Sequence, residues 1–156
     1  MARRNNDMLT PRELHPEDAE QLFAIDHRAT PYPWTLQHFF SGLQRDEFGW
    51  GLESDGQLAA FVLFNQVLDE STLLNVAVDP LFQRRGLAAH LLSFAISALR
   101  ERGAIRCLLE VRASNLGAIA LYQKMGFALD GCRRNYYPTL EGREDALLMS
   151  KLLHTQ

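Results

Sequence analysis

The segment Asn75-Val76-Ala77-Val78-Asp79-Pro80-Leu81-Phe82-Gln83-Arg84-Arg85-Gly86-Leu87-Ala88 is the most informative stretch of the chain. Its first residues are small or β-branched, which is typical of a buried strand, and Asp79-Pro80 ends that strand in a turn. A basic loop follows and leads through Gly86 into an apolar pattern of period 3.6. The segment therefore predicts a strand, a loop and a helix in direct succession.

The basic loop of this segment has the chemistry of a diphosphate site. The first N–H groups of a helix lack intrahelical acceptors and lie at the positive end of the helix dipole. Gly86 allows close approach of the backbone, and Arg84 and Arg85 add positive charge. Taken alone, however, an arginine pair with one glycine is more often an ordinary solvated helix start, so the pattern needs support from the rest of the chain.

The flanking sequence predicts a mixed α/β chain in which helices interrupt one sheet. Before the segment, periodicity and turn residues predict strands at 8–14, 48–53, 57–67 and 72–78, with a turn at 69–70. They also predict a helix from residue 16 to the break at 31–34 and a short helix from the Thr35 cap to about residue 42. After it, they predict a helix from 87 to about 103, a strand at 105–111, a helix capped by Ser114 or Asn115 and ended by Gly126, and strands at 132–137 and 146–152 around a loop at 138–145.

Length and composition bound the possible functions. With 156 residues, 47% of them hydrophobic, the chain fits one domain covering 1–156, in which we expect the polar residues 1–7 to be flexible. A formal net charge of -3 disfavours a broad nucleic-acid surface, and no apolar stretch approaches the length of a membrane span. Two cysteines are too few for a disulfide framework, which makes the cytoplasm the expected compartment. The five histidines are scattered without ligand spacing, so no metal is expected.

Two sequence features together resemble the Gcn5-related N-acetyltransferase (GNAT) superfamily. Its acetyl-CoA loop has the pattern Gln/Arg-x-x-Gly-x-Gly/Ala, which Gln83, Gly86 and Ala88 match, with alanine at a position that is often glycine. Further along, Leu121-Tyr122-Gln123-Lys124-Met125-Gly126-Phe127 resembles the characteristic Leu-Tyr-x-x-x-Gly-Phe ending. The resemblance implies the GNAT fold, a single mixed and mostly antiparallel sheet with a splayed central strand pair and flanking helices. It also implies acetyl-CoA as the acetyl donor.

Within the superfamily, several segments resemble the ribosomal-protein alanine acetyltransferases. These segments are Pro33-Trp34-Thr35, residues 69–73, residues 109–115, residues 133–138 and residues 142–146. The resemblance runs from about residue 8 to the last strand. It implies transfer of an acetyl group to the N-terminal alanine of a small-subunit ribosomal protein, by direct attack in a ternary complex, so the expected partners are that N-terminal peptide and acetyl-CoA.

Acetyl transfer to an ammonium group needs a proton acceptor, stabilisation of an oxyanion and a proton donor to the leaving thiolate. The resemblance makes Glu110, acting through a water, the candidate acceptor, and a plain surface ion pair with Arg112 is the alternative. Tyr122 is the candidate donor because a phenol stays protonated at neutral pH. Asn115 lies seven residues before Tyr122, close to two helical turns, and so shares its helix face. The alternatives are that Asn115 only caps the helix and Tyr122 only packs.

The resemblance also implies where the two substrates bind. Backbone groups left unpaired where the central strands diverge would bind pantetheine and polarise the thioester carbonyl. The expected acetyl-CoA contacts are Val76, Ala77, Val78, Gln83, Arg84, Arg85, Gly86, Leu87, Ala88, Ala89 and Asn115. The expected acceptor groove comprises Tyr32, Trp34, Asp69, Glu70, Tyr136 and Tyr137, although its aromatic residues would equally close the edge of the core.

Two other functions remain open at the level of sequence. One keeps the chemistry but changes the acceptor to a small amine or a lysine side chain. The other is a non-catalytic module that binds acetyl-CoA or associates with the ribosome. Glu110 and Tyr122 together argue against a module of this kind, because it would need the cofactor loop but neither proton-transfer group.

Overall fold

The computed structural model describes residues 9–153 and forms one sheet flanked by helices. The segment 1–7, predicted to be flexible, lies outside the described residues. The strands are β1 (Pro11–Glu13), β2 (Phe48–Ser54), β3 (Gln57–Val67), β4 (Glu70–Val78), β5 (Arg106–Arg112), β6 (Ala128–Thr139) and β7 (Gly142–Leu152). The helices are α1 (Ala19–Ala29), α2 (Leu36–Gln44), α3 (Leu87–Glu101) and α4 (Leu116–Lys124), with short 3-10 helices at Pro16–Asp18 and Pro80–Phe82.

The strands form one mixed sheet in the order β1-β2-β3-β4-β5-β7-β6. Only β4 and β5 are parallel neighbours among the described residues, and the other pairs are antiparallel. The parallel pair is joined by α3, the crossover helix that such a connection needs. The mixed, mostly antiparallel sheet predicted from the sequence is confirmed.

The central strands β4 and β5 separate partway along their length. Their register runs from Glu70 opposite Arg106 to Leu73 opposite Leu109 and then stops. The separation coincides with a bulge in β4, where Asn75 pairs with Leu63 of β3 while Leu73 pairs with Phe64, leaving Leu74 as the extra residue. The splayed central pair is therefore confirmed, and the bulge is where β4 bends away.

Helices cover both faces of the sheet. On one face, α3 buries Leu91, Leu92 and Ala95 in a cluster that includes Tyr122 of α4. On the other face, a second cluster contains Leu22 and Ile25 of α1, Phe39 of α2, and Phe61 and Leu63 of β3. Cys107 of β5 lies in the first cluster, and its burial raises the pKa of the thiol to about 11. Within residues 9–153, no helix is both long and apolar enough to span a bilayer.

The predicted helix caps are present. Thr35 Oγ1 accepts a hydrogen bond from the backbone N–H of His38 at 3.1 Å, and Asn115 Oδ1 accepts one from Ala118 at 3.2 Å. Beyond α4, Gly126 has a φ of 98°, the left-handed conformation that commonly follows a helix.

Three predicted boundaries are wrong. The first strand is shorter than 8–14, since β1 spans only Pro11–Glu13, and the turn before β4 is Leu68-Asp69 because Glu70 already belongs to the strand. The last hairpin is much longer than predicted, with only Leu140 and Glu141 between β6 and β7. Because β6 is an edge strand exposed along most of its length, it lacks the alternation by which strands are recognised.

Candidate active site

A cleft of about 750 Å³ opens where β4 and β5 separate. The end of β4 forms its floor, and the N-terminal region of α3 and the inner face of α4 close one side. The loop between α1 and α2 and the β6 residue Tyr137 close the other side. Predicted site residues that line the cleft are Tyr32, Trp34, Val76, Ala77, Val78, Gln83, Ala88, Glu110, Asn115, Tyr122 and Tyr137.

Backbone groups of β4 point into this cleft. Asp79 N–H donates to Ala59 C=O at 2.8 Å, which makes these two residues a hydrogen-bonded pair of the antiparallel ladder with β3. Because such pairs alternate, Ala77 also bonds toward β3, while Val76 and Val78 direct their N–H and C=O groups to the opposite side. Within residues 9–153, no strand ladder continues on that side beyond Leu73. The N–H and C=O groups of Val76 and the N–H of Val78 are therefore available to a ligand, whereas Val78 C=O accepts a hydrogen bond from the Gln83 side chain.

The entrance to α3 presents N–H groups without intrahelical acceptors. His90 N–H is the first donor of the helix and bonds to Gly86 C=O at 3.0 Å, so the N–H groups of Leu87, Ala88 and Ala89 precede the ladder. Gly86 is the N-cap, with a left-handed φ of 73°, and has no side chain to occupy those groups. Gln83 Nε2 donates to Val78 C=O at 3.2 Å and ties this loop to β4.

Tyr122 projects from α4 into the cleft and is almost fully buried. Its ring packs on Phe127 with centroids 5.9 Å apart. Burial, with smaller contributions from Cys107 and Tyr137, raises the pKa of the phenol well above its ordinary value. The hydroxyl is therefore protonated at neutral pH.

Glu110 lies near the end of β5 on the rim of the cleft. Its carboxylate forms an ion pair with Arg133 of β6, with Oε2 2.9 Å from Nε, and 35% of the Glu110 side chain is exposed. The alternative pairing with Arg112 is wrong, because Arg112 binds Glu144 instead at 3.1 Å. The partner of Glu110 therefore comes from β6. Local sequence patterns do not show that β6 lies next to β5 in the sheet with only β7 between them.

Asp26 is a site residue that sequence reasoning missed. It lies on α1, lines the cleft and is 2% exposed, and its Oδ2 accepts a hydrogen bond from Trp34 N–H at 2.8 Å. Burial raises the pKa of this carboxyl, opposed by the bonds from Trp34 and the Asn75 side chain. The available signal was its position four residues after Leu22, on the buried stripe of α1.

Some predicted site residues lie outside the lining of the cleft. Asp69 and Glu70 lie at the start of β4, the end opposite Val76 and Val78, so the structure does not place them in an acceptor groove. Tyr136 is exposed and contacts the ring of Tyr137 at 5.0 Å between centroids. Arg84, Arg85, Gly86, Leu87 and Ala89 belong to the adjoining loop and helix entrance without lining the cleft themselves. Within residues 9–153, no three His, Cys, Asp or Glu side chains cluster as metal ligands would.

Comparison with known proteins assigns this geometry to a family. The family model described as "Acetyltransferase (GNAT) family" matches residues 13–127. The chain belongs to the GNAT acetyltransferase family. GNAT acetyltransferases use acetyl-CoA, and the chain is accordingly an acetyl-CoA-dependent N-acetyltransferase.

Individual GNAT relatives match over almost the whole chain. The [ribosomal protein bS18]-alanine N-acetyltransferase of Escherichia coli (strain K12) is 45% identical over 143 residues, covering 92% of this chain and 97% of the relative. The enzyme of the same name from Salmonella typhimurium is 46% identical over 137 residues, covering 88% of this chain and 93% of the relative. The crystal structure of the ribosomal-protein-S18-alanine N-acetyltransferase from Escherichia coli superposes with a TM-score of 0.89 at 43% identity, covering 96% of each chain. These matches confirm the GNAT fold.

Proposed function

We propose that this enzyme transfers the acetyl group of acetyl-CoA to the α-amine of the N-terminal alanine of ribosomal protein bS18. The observation that carries the proposal is the cleft at the β4–β5 separation, where a carboxylate, a phenol and free backbone groups from different elements surround one space. The two bacterial relatives named for bS18 alanine acetylation match nearly full length, which supports this acceptor. We also propose that residues 1–156 form one catalytic domain, since a single sheet spans the described part of the chain.

The residues at the entrance of α3 fit the diphosphate of the donor. The N–H groups of Leu87, Ala88 and Ala89 and the positive end of the helix dipole favour an anion, and Gly86 leaves open space in front of them. Arg84 and Arg85 add charge beside the loop. The pantetheine arm would then follow Val76 and Val78 along β4, with the Asn115 side chain opposite.

We assign the proton transfers to Glu110 and Tyr122. Glu110 takes a proton from the acceptor ammonium through a water, and the freed amine nitrogen attacks the thioester carbonyl carbon to form the C–N bond. The β4 N–H groups of Val76 and Val78 stabilise the oxyanion that develops. As the C–S bond breaks, the thiolate takes the Tyr122 proton and the amide nitrogen gives up its second proton, which restores the phenol. The products are the amide and the free thiol, and no covalent enzyme intermediate is needed.

The acceptor side of the cleft suits a cationic peptide terminus. Tyr32, Trp34 and Tyr137 provide apolar walls around Glu110, the exposed carboxylate of this side. Asp26 fixes the backbone of Trp34 and thereby holds the loop that carries both Tyr32 and Trp34. We expect this side to admit the first residues of an extended chain.

An acceptor panel tests the proposal. Purified enzyme and acetyl-CoA are incubated with a peptide of the bS18 N-terminus, with the same peptide blocked at its α-amine but carrying a lysine, and with small amines. Mass spectrometry then locates any acetyl group. We expect acetylation of the α-amine of the free peptide alone. Transfer only to lysine or small amines would favour the alternative of an acetyltransferase with another acceptor. Binding of coenzyme A in calorimetry without transfer to any amine would favour the non-catalytic module.

A further inference from the structure

Arg112, the last residue of β5, joins two aromatic walls of the cleft. Its guanidinium carbon lies 3.5 Å from the ring centroid of Tyr32 and 4.5 Å from that of Tyr137. Tyr32 belongs to the loop between α1 and α2, whereas Tyr137 belongs to β6. All three residues line the cleft, so one side chain connects the two elements that form its acceptor side.

Polar contacts fix the guanidinium in this position. Arg112 Nη1 donates to Pro138 C=O at 3.0 Å and to Glu144 Oε2 at 3.1 Å. The other carboxylate oxygen of Glu144 accepts from the backbone N–H of Ser114 at 3.0 Å, just before α4. We call Arg112, Tyr32, Tyr137 and Glu144 the arginine bridge.

The charge and shape of the arginine bridge suit a structural role and not direct contact with a substrate. The Arg112 charge is compensated by Glu144, and only 18% of the Arg112 side chain is exposed, so the bridge leaves no free cation to repel an acceptor ammonium. Its flat guanidinium stacks on both rings and bonds at its edge, which a lysine ammonium does not reproduce. The donor contacts proposed above come from β4, α3 and Asn115 and do not include the bridge.

We propose that Arg112 is a positioning residue that sets the width of the acceptor groove by holding Tyr32 and Tyr137 at a fixed separation. The proposal rests on the proposed function and deepens it, because the groove it shapes is the entrance for the N-terminal peptide. Loss of the bridge lets the α1–α2 loop move independently of β6. The affinity for the acceptor then falls while the affinity for the donor stays the same.

Kinetics of Arg112→Met and Arg112→Lys test this role, with Arg106→Met as the matched control. Arg106 is an exposed arginine at the start of the same strand, away from the cleft. We expect Arg112→Met to raise the KM for the bS18 peptide on the order of tenfold, the size of a lost partly buried cation–π contact. Arg112→Lys should restore only part of the loss. Calorimetry should give a coenzyme A Kd within about twofold of wild type for every variant.

A second pair of variants separates positioning from folding. If Arg112→Met melts below the assay temperature, Tyr32→Leu and Tyr32→Phe replace it, since Tyr32 lies on an exposed loop. Phenylalanine keeps the stacked ring and should keep the peptide KM, whereas leucine should raise it as Arg112→Met does. In a folded double variant, Arg112→Met and Tyr32→Leu should be less than additive because both remove one contact.

Two outcomes overturn the bridge. One is an unchanged peptide KM in Arg112→Met, and the other is a loss of coenzyme A affinity in the same proportion as the loss of peptide affinity. The proposed function fails separately, when wild-type enzyme prefers another amine to the bS18 peptide. In that case the same variants are compared on the preferred amine, and the two criteria apply unchanged.

Discussion

Tyr122 differs from a surface tyrosine because its ring is packed in the core while the residue still lines the cleft. Burial raises the pKa of its phenol, so the proton remains in place throughout the neutral and mildly alkaline range. We expect Tyr122→Phe to lower kcat on the order of a hundredfold, as loss of a general acid does, with little change in coenzyme A affinity. Steady-state kinetics and calorimetry measure the two quantities. A kcat within twofold of wild type would remove Tyr122 from the donor role.

Glu110 and Arg133 provide a matched pair of substitutions at one ion pair. If the carboxylate accepts the proton, Glu110→Gln should lower kcat on the order of a hundredfold, because an amide keeps the shape but not the basicity. Arg133→Gln breaks the same half-exposed ion pair yet keeps the carboxylate, and should leave kcat within about tenfold of wild type. Equal losses of kcat in the two variants would instead mean that catalysis requires the ion pair and not a base at Glu110. Single-turnover measurements with the bS18 peptide make the comparison.

Asp26 is a buried carboxylate that accepts a hydrogen bond from the backbone N–H of Trp34. Asp26→Ala should lower the free energy of unfolding by about 1–3 kcal/mol, because a buried donor loses its acceptor, and should also raise the peptide KM. Asp26→Asn keeps an oxygen for that bond and should cost less. Urea denaturation at a series of pH values measures the free energy of unfolding of both variants, and steady-state kinetics measures the peptide KM.

The pH dependence has a definite sign at Asp26. Burial raises its pKa, so the folded protein holds this proton more tightly than the unfolded chain does. The Asp26 contribution to the free energy of unfolding is therefore largest below the ordinary aspartate pKa and declines as the pH rises through the raised folded value. Asp26→Asn lacks this decline, and its stability relative to wild type should improve with rising pH across that range. A constant difference would contradict the burial argument.

At the scale of elements, the sequence predicts those segments that have one buried face. β5 is recognisable because Cys107, Leu109 and Val111 are buried and alternate with more exposed residues. β6 is not, since both of its faces are largely solvated, and the polar start of β7 looks like a loop when read locally. The caps Thr35 and Asn115 were predictable because each bonds to its own helix.

The N-terminus of α3 yields a prediction for the donor site. Gly86 has a φ of 73° and open space where a Cβ would lie, so Gly86→Ala should fold and lose only about 1 kcal/mol from backbone strain. Gly86→Glu adds a negative charge at the helix entrance and should weaken coenzyme A binding at least a hundredfold. Calorimetry compares the two variants with wild type. If glutamate is tolerated as well as alanine, the diphosphate does not bind at this entrance.

At the scale of the whole molecule, the contacts that complete the site join residues distant in sequence. The spacing of Asn115 and Tyr122 was readable because one helix carries the tyrosine and is capped by the asparagine. The pairing of Glu110 with Arg133 and that of Asp26 with Trp34 depend on how strands and loops meet around the sheet. The separation of β4 from β5 was anticipated through the family resemblance, and its structural basis, the bulge at Leu74, emerged only in the ladder with β3.

Because the proposed donor site draws on β4, α3 and the start of α4, acetyl-CoA should stabilise the fold as a whole. A ligand at a hundredfold excess over its Kd adds about 2.7 kcal/mol to the free energy of unfolding. For a chain of this length, each kcal/mol shifts Tm by about 2–4 °C, so we expect a rise of about 5–10 °C at that excess. Thermal denaturation followed by circular dichroism measures it.

The same measurement separates the two sides of the cleft. At the same acetyl-CoA concentration, Gly86→Glu should show a rise in Tm of at most about 1–2 °C, because the proposed diphosphate contact is lost. Arg112→Met should show the full wild-type rise at equal saturation even if its starting Tm is lower, since the arginine bridge belongs to the acceptor side. A reduced rise in Arg112→Met would mean that donor and acceptor binding depend on one shared closure of the cleft, and the independence of the two sides would have to be abandoned.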